Sequence, residues 1–96
     1  MIRYTCQSEL LPIIEAALAA QGYHIEVPLQ KHSNSAGMMV MAYGLTSVLL
    51  AQWPDNARLE IEIWGVAQPV VADLLEALPI PLHKQPSPKI VVREAT

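Results

Sequence analysis

Cysteine is nearly absent from this sequence, and charge is scarce. Cys6 is the only cysteine in 96 residues, so no disulfide closes within one chain and no cysteine-based zinc site can be built from it. Asp, Glu, Lys and Arg make up 16% of the chain, against roughly 25% in an average soluble domain. The six basic residues, Arg3, Lys31, Arg58, Lys84, Lys89 and Arg93, are scattered, and the net charge is −3. Phosphate backbones are gripped by clustered Lys and Arg, so nucleic acid is not an expected partner. The first residues, Met1 to Cys6, lack the apolar run and small-residue cleavage site of a secretory leader. Together with the unpaired thiol, that points to a reducing, cytoplasmic setting. No Cys–His or carboxylate–His grouping marks a catalytic centre, no His pair has helical metal-ligand spacing, and no cofactor motif is present.

What is abundant is apolar residue, at 52% of the chain. A chain of this length makes one domain, here 1–96, and buries only roughly 60–65% of its unfolded surface. The apolar surplus and the charge deficit point the same way. Part of the surface is expected to be covered by another chain.

The pattern along the chain predicts β-α-β-β-β-β-α-β. Ile2, Tyr4 and Cys6 alternate with Arg3 and Thr5, a strand period. Ser8 caps a helix whose apolar residues are Leu10, Ile13, Ile14, Ala17, Leu18 and Ala20, with Gly22 at the left-handed C′ position. Tyr23, Ile25 and Val27 alternate with His24 and Glu26 as a second strand, which Pro28 ends or confines to an edge. Residues 30–37 form a polar loop.

Residues 38–53 carry no charge and admit three readings: a membrane span, a buried helix or a β-hairpin. A span needs about 20 predominantly apolar residues with basic flanks. Gly44, Thr46, Ser47 and Gln52 interrupt this stretch, and no basic cluster borders it, so membrane insertion is disfavoured. The hairpin is the preferred reading, since Gly44-Leu45 suits a two-residue turn with Gly first. Pro54-Asp55-Asn56-Ala57 is a further turn. Arg58 to Trp64 then alternates cleanly between apolar and polar residues. Pro69 starts a second helix with an apolar stripe of Val70, Val71, Leu74, Leu75 and Leu78, and Pro79 stops it. Residues 79–88, with four prolines, read as an extended connector, and 89–93 as a last strand. The expected fold is α+β, an open and mainly antiparallel sheet with both helices on one face, in a ferredoxin-like plan with an added strand.

Turn lengths set the register. A two-residue turn at 44–45 pairs Tyr43 with Thr46, Met41 with Val48 and Met39 with Leu50. A four-residue turn at 54–57 pairs Trp53 with Arg58, Ala51 with Glu60 and Leu49 with Glu62. Leu59, Ile61 and Ile63 then face the helices along with Val48, Leu50, Met39 and Met41. The opposite face collects Met38, Val40, Ala42, Leu49, Ala51, Trp53 and Trp64, bordered by Arg58, Glu60 and Glu62. A strand apolar on both faces must be covered on both, and no third helix is available. Met38, Val40, Leu49, Ala51, Trp53 and Trp64 are therefore the expected interface core, with a homodimer as the simplest assembly.

Other groups carry weaker signals. Cys6, on the apolar side of the first strand, reads as structural. Lys31, His32, Ser33, Asn34 and Ser35 form a candidate ligand loop able to cradle an anion, although it lacks P-loop spacing. His24 and Glu26 read as a wet-face pair rather than metal ligands. The alternative to an interaction domain is a small-molecule binding domain or small enzyme. Its pocket would be lined by Met and aromatic side chains, with His24, His32 or Tyr43 as polar groups.

Overall fold

The computed structural model describes residues 1–30, 37–53 and 57–86. Six strands and two helices follow one another in the expected order: β1 (Ile2–Gln7), α1 (Leu11–Ala20), β2 (His24–Gln30), β3 (Gly37–Tyr43), β4 (Thr46–Trp53), β5 (Arg58–Gly65), α2 (Gln68–Glu76) and β6 (His83–Gln85). They form one antiparallel sheet of order β2-β3-β4-β5-β1-β6. The fold is thus α+β, with an open antiparallel sheet. No helix among the described residues is long and apolar enough to cross a membrane.

The local chemistry of each element is plain. A short 3-10 turn, Ser8–Leu10, leads into α1, and Pro12 sits in the first turn, where its missing N–H costs nothing. Ser8 does not cap by its side chain; its N–H donates to the Ala57 carbonyl at 2.7 Å and ties the helix start to the residue that precedes β5. At the other end Tyr23 N–H reaches the Leu18 carbonyl and Gly22 N–H the Ala19 carbonyl, with Gly22 at φ +98°. Those are the two bonds of a Schellman stop. Pro28 lies within β2, which is an edge strand, the place where a missing ladder donor is tolerated.

Residues 38–53 form the hairpin, in the register the turn lengths require. Tyr43 pairs with Thr46, Met41 with Val48 and Met39 with Leu50; Leu49 pairs with Glu62, Ala51 with Glu60 and Trp53 with Arg58. Among the described residues the core lies on one face. Tyr4, Cys6, Met39, Met41, Val48, Leu50, Leu59, Ile61 and Ile63 pack there with Ile14 and Leu18 of α1 and Val71, Ala72 and Leu75 of α2. Both helices therefore cover the same side of the sheet.

Three local expectations change. Val70, expected on the buried stripe of α2, is exposed, and Ala72 takes the buried position. The helix starts at Gln68, and its contact line runs through Val71, Ala72 and Leu75 instead. A strand, β6, lies inside the expected connector, pairing His83, Lys84 and Gln85 with Thr5, Tyr4 and Arg3. The strand expected at 89–93 falls outside the described residues. In β2 the ladder slips between Ile25 and Val27 and again between Val27 and Gln30. Val27 consequently pairs with Val40, while Ile25 pairs with Met41 on the core side. A bulge switches the face on which the following residues lie.

Candidate functional site

The sheet face that no described helix covers divides into two halves. On β2, β3 and β4 it presents Val27, Met38, Val40, Ala42, Leu49 and Ala51, with the polar His24 and Ser47 in the row of Ala42 toward the β3–β4 turn. On β5, β1 and β6 it presents Arg58, Glu60 and Glu62, then Arg3, Thr5 and Gln7, then His83 and Gln85. The ladder makes the boundary sharp: Leu49 faces Glu62 and Ala51 faces Glu60 across the β4–β5 pair. Met38 is 48% exposed and Trp64 49%, whereas Ala42 is buried and Val40, Leu49 and Ala51 are half-buried between neighbours.

Polar groups along the boundary hold the two tryptophans. Glu62 accepts a hydrogen bond from the Trp64 indole N–H at 3.2 Å. Arg58 pairs with Glu60 at 3.2 Å and lies 5.9 Å from the Trp53 ring centre, a cation–π geometry. Exposed ion pairs contribute little stability, so their effect here is to orient ring edges. The result is an apolar strip bordered by Glu60 and Glu62 along β5 and by His24 and Ser47 toward the β3–β4 turn, the composition of an interface core and its rim. The expected interface residues Met38, Val40, Leu49, Ala51, Trp53 and Trp64 all lie on this face. Alternation did not reveal Val27, because only the bulge brings it there. A bulge is chosen by pairing with β3, and no residue type in His24–Gln30 announces it.

The other candidates are spread out. Cys6 is buried, at 7% exposure, and burial pushes its thiol up to about 11. It is held as a protonated small hydrophobe, the opposite of an activated nucleophile. The Tyr4 phenol is pushed up to about 12, first by burial, then by donating to Glu76 Oε2 at 2.9 Å and by the negative charges of Glu76 and Asp73. Burial also raises the Tyr23 phenol, against a hydrogen bond with Thr46 that lowers it. His24 Nε2 and Glu26 Oε2 meet at 2.9 Å on an exposed stretch of β2. Among the described residues no group of three His, Cys, Asp or Glu gathers to hold a metal. Met39 and Met41 are core residues, and Tyr43 packs beside Tyr23 with ring centres 5.6 Å apart. Lys31, His32, Ser33, Asn34 and Ser35 lie outside the described residues.

A pocket of about 460 Å³ opens beside the end of β1, lined by Thr5, Cys6, Gln7, Ala57, Arg58, Pro81 and His83. The β1–β6 ladder ends at Thr5 and His83, and both residues line the pocket. None of its lining residues is the Met or aromatic side chain that a ligand site was expected to use.

The thiol and the Tyr4 phenol give a testable pair of outcomes. Both bind their proton more tightly in the folded chain than at their ordinary values of 9 and 10. Their contribution to stability is therefore complete below pH 9 and is lost as pH rises through the folded values. Urea midpoints should fall above pH 9, and a thiol reagent at neutral pH should label native Cys6 far more slowly than denatured chain. Rapid labelling of the native protein would contradict a structural Cys6.

Comparison with known proteins yields no matching family model, no matching curated protein and no matching solved structure.

Proposed function

We propose that the protein is a non-catalytic interaction domain that self-associates through the open face of its sheet. The observation carrying this reading is the apolar strip Val27–Met38–Val40–Leu49–Ala51, flanked by Trp53 and Trp64, on a face that no helix of the described chain covers. Apolar surface left in water costs about 25 cal/mol per Å² relative to burial, and aromatic anchors beside such a strip concentrate binding energy. A second copy is the simplest cover, because one self-complementary patch serves both partners across a two-fold axis. Sheets packed face to face in this way interdigitate their side chains about 10 Å apart. The acidic and basic residues of β5, β1 and β6 then form the wet margin.

The connectivity supports a ferredoxin-like reading in which β1 lies between β5 and β6 and a four-stranded meander replaces the usual hairpin. That plan hosts many functions and assigns none. The buried, unpaired Cys6 supports a reducing, cytoplasmic setting.

Light scattering across a concentration series tests the proposal directly. The expected mass is twice the 10.6 kDa of one chain. A mass of one chain at every concentration, with the sheet face open, would remove the self-association reading. Ligand binding at the pocket beside β1 would then favour the small-molecule alternative.

A further inference from the structure

We propose that the pocket beside the end of β1 binds a small organic molecule that carries an oxyanion, either a carboxylate or a phosphate. This goes beyond the self-association reading and does not rest on it. The volume of about 460 Å³ is that of a small-molecule site. The sheet register sets four polar side chains around it. Thr5 stands opposite His83 on β6, and Gln7 stands opposite Arg58 on β5. The β1–β5 ladder runs on to Gln7, whereas the β1–β6 ladder stops at Thr5. Directly paired residues project to one face, and Thr5 and Gln7, two apart, share theirs. All four lie on the side of the sheet away from the helices, and all four line the pocket.

The chemistry of this lining is one-sided. A guanidinium only donates hydrogen bonds, and the Gln and His side chains each offer N–H groups. The Thr5 hydroxyl oxygen accepts from Gln85 Nε2 at 3.0 Å, and its own O–H can donate onward. No described Asp or Glu lines the pocket, in a chain where acids outnumber Lys and Arg nine to six. An oxyanion offers only acceptors, so it is the ligand group that such a lining fits. Ala57 and Pro81 supply apolar lining for the rest of the molecule.

Arg58 is the charged member of the set, and it is held in place. Its Nη2 meets Glu60 Oε1 at 3.2 Å, and the guanidinium carbon lies 5.9 Å from the Trp53 ring centre. A guanidinium with five N–H donors serves several acceptors at once. One that is already fixed loses little freedom when a ligand arrives. Glu60 shares its charge, and Arg58 and His83 are both exposed to solvent. Affinity is therefore expected to be modest, with a dissociation constant on the order of 1 mM.

The test follows backbone amide signals of the full chain by NMR while inorganic phosphate, glycerol phosphate and succinate are titrated in turn. Ionic strength is held constant with sodium chloride, so that screening does not mimic binding. Saturable shifts are expected at Thr5, Gln7, Arg58 and His83, with an organic anion binding more tightly than inorganic phosphate. The tighter of glycerol phosphate and succinate identifies the head group as phosphate or carboxylate. Arg58→Gln should weaken binding by about tenfold or more, and Thr5→Val by about threefold. Far-UV circular dichroism checks that each variant is folded. Lys84→Gln removes a nearby positive charge that does not line the pocket, and should stay within about twofold of wild type. No saturable shift with any probe, or shifts only elsewhere, would overturn the proposal. So would inorganic phosphate binding as tightly as both organic anions, undiminished binding by both pocket variants, or an equal loss in Lys84→Gln. The self-association reading is judged separately, on solution mass without ligand.

Discussion

Gly65→Ala should be among the most damaging single substitutions in this chain, lowering stability by on the order of 3 kcal/mol or more. Gly65 ends β5 at φ +111°, a conformation that side chains rarely adopt, and it lies against the β3–β4 turn. A Cβ there would drive into the Leu45 carbonyl oxygen and sit 2.7 Å from the Thr46 Cα. Both obstacles are backbone, so no rotamer change relieves them. Thr46 is itself buried, and its hydroxyl accepts the Ala67 N–H that starts α2. Moving it would disturb the strand and the helix together. Gly44→Ala supplies the control, because its φ is +59° and nothing lies within 4 Å of the added carbon. That variant should lose only about 1 kcal/mol. Urea titration of the two variants measures the difference. Equal midpoints would show that the β5–α2 junction adjusts more freely than its contacts imply.

Leu49→Glu should leave the monomer folded and weaken self-association by a hundredfold or more, which is about 2.7 kcal/mol. Leu49 sits at the middle of β4 on the face away from the helices, opposite Val40 on one side and Glu62 on the other. In the lone chain a carboxylate there reaches water, at the modest cost of a like charge across from Glu62. In a face-to-face pair it would be buried without a partner, which is where the penalty arises. Two measurements are needed, the mass in solution and the urea midpoint of the monomer. A dimer that survives the substitution would place the interface elsewhere. A chain that unfolds instead would mean that its own residues cover Leu49.

How much of this was legible depends on which force decides each feature. The β3–β4–β5 register followed from two turns and strict alternation, because a one-residue slip would turn Leu59, Ile61 and Ile63 out of the core. The stop of α1 was legible for a similar reason, as Gly22 is the residue a left-handed C′ position demands. β6 was not. His83-Lys84-Gln85 has no apolar alternation and is flanked by Pro81 and Pro86; it is a strand only because the edge of β1 offers it hydrogen bonds. The position of Val27 was hidden for the same kind of reason, since its bulge answers to β3. Of the candidate site, the residues on the open face were readable from period-2 patterning. The boundary at β4–β5, where Leu49 and Ala51 meet Glu62 and Glu60, was readable too; the extension of the polar half by Arg3, Thr5 and Gln7 follows from β1 inserting beside β5, a long-range choice that no local pattern carries.

That insertion also has a consequence in time. β2 to β5 form a meander in which each strand pairs with the one made just before it, so its hairpins close over short loops. β1 is different, because Ile2 pairs with Ile63 and Thr5 with both Glu60 and His83. Such distant pairing raises contact order and slows folding. At roughly 5–20 residues per second of synthesis, β1 emerges several seconds before β5 exists to receive it. During that interval Ile2, Tyr4 and Cys6 have no sheet to enter, and the meander has an open edge at β5. β1 waits for β5, and β6, whose pairing is with β1, can be placed only after it.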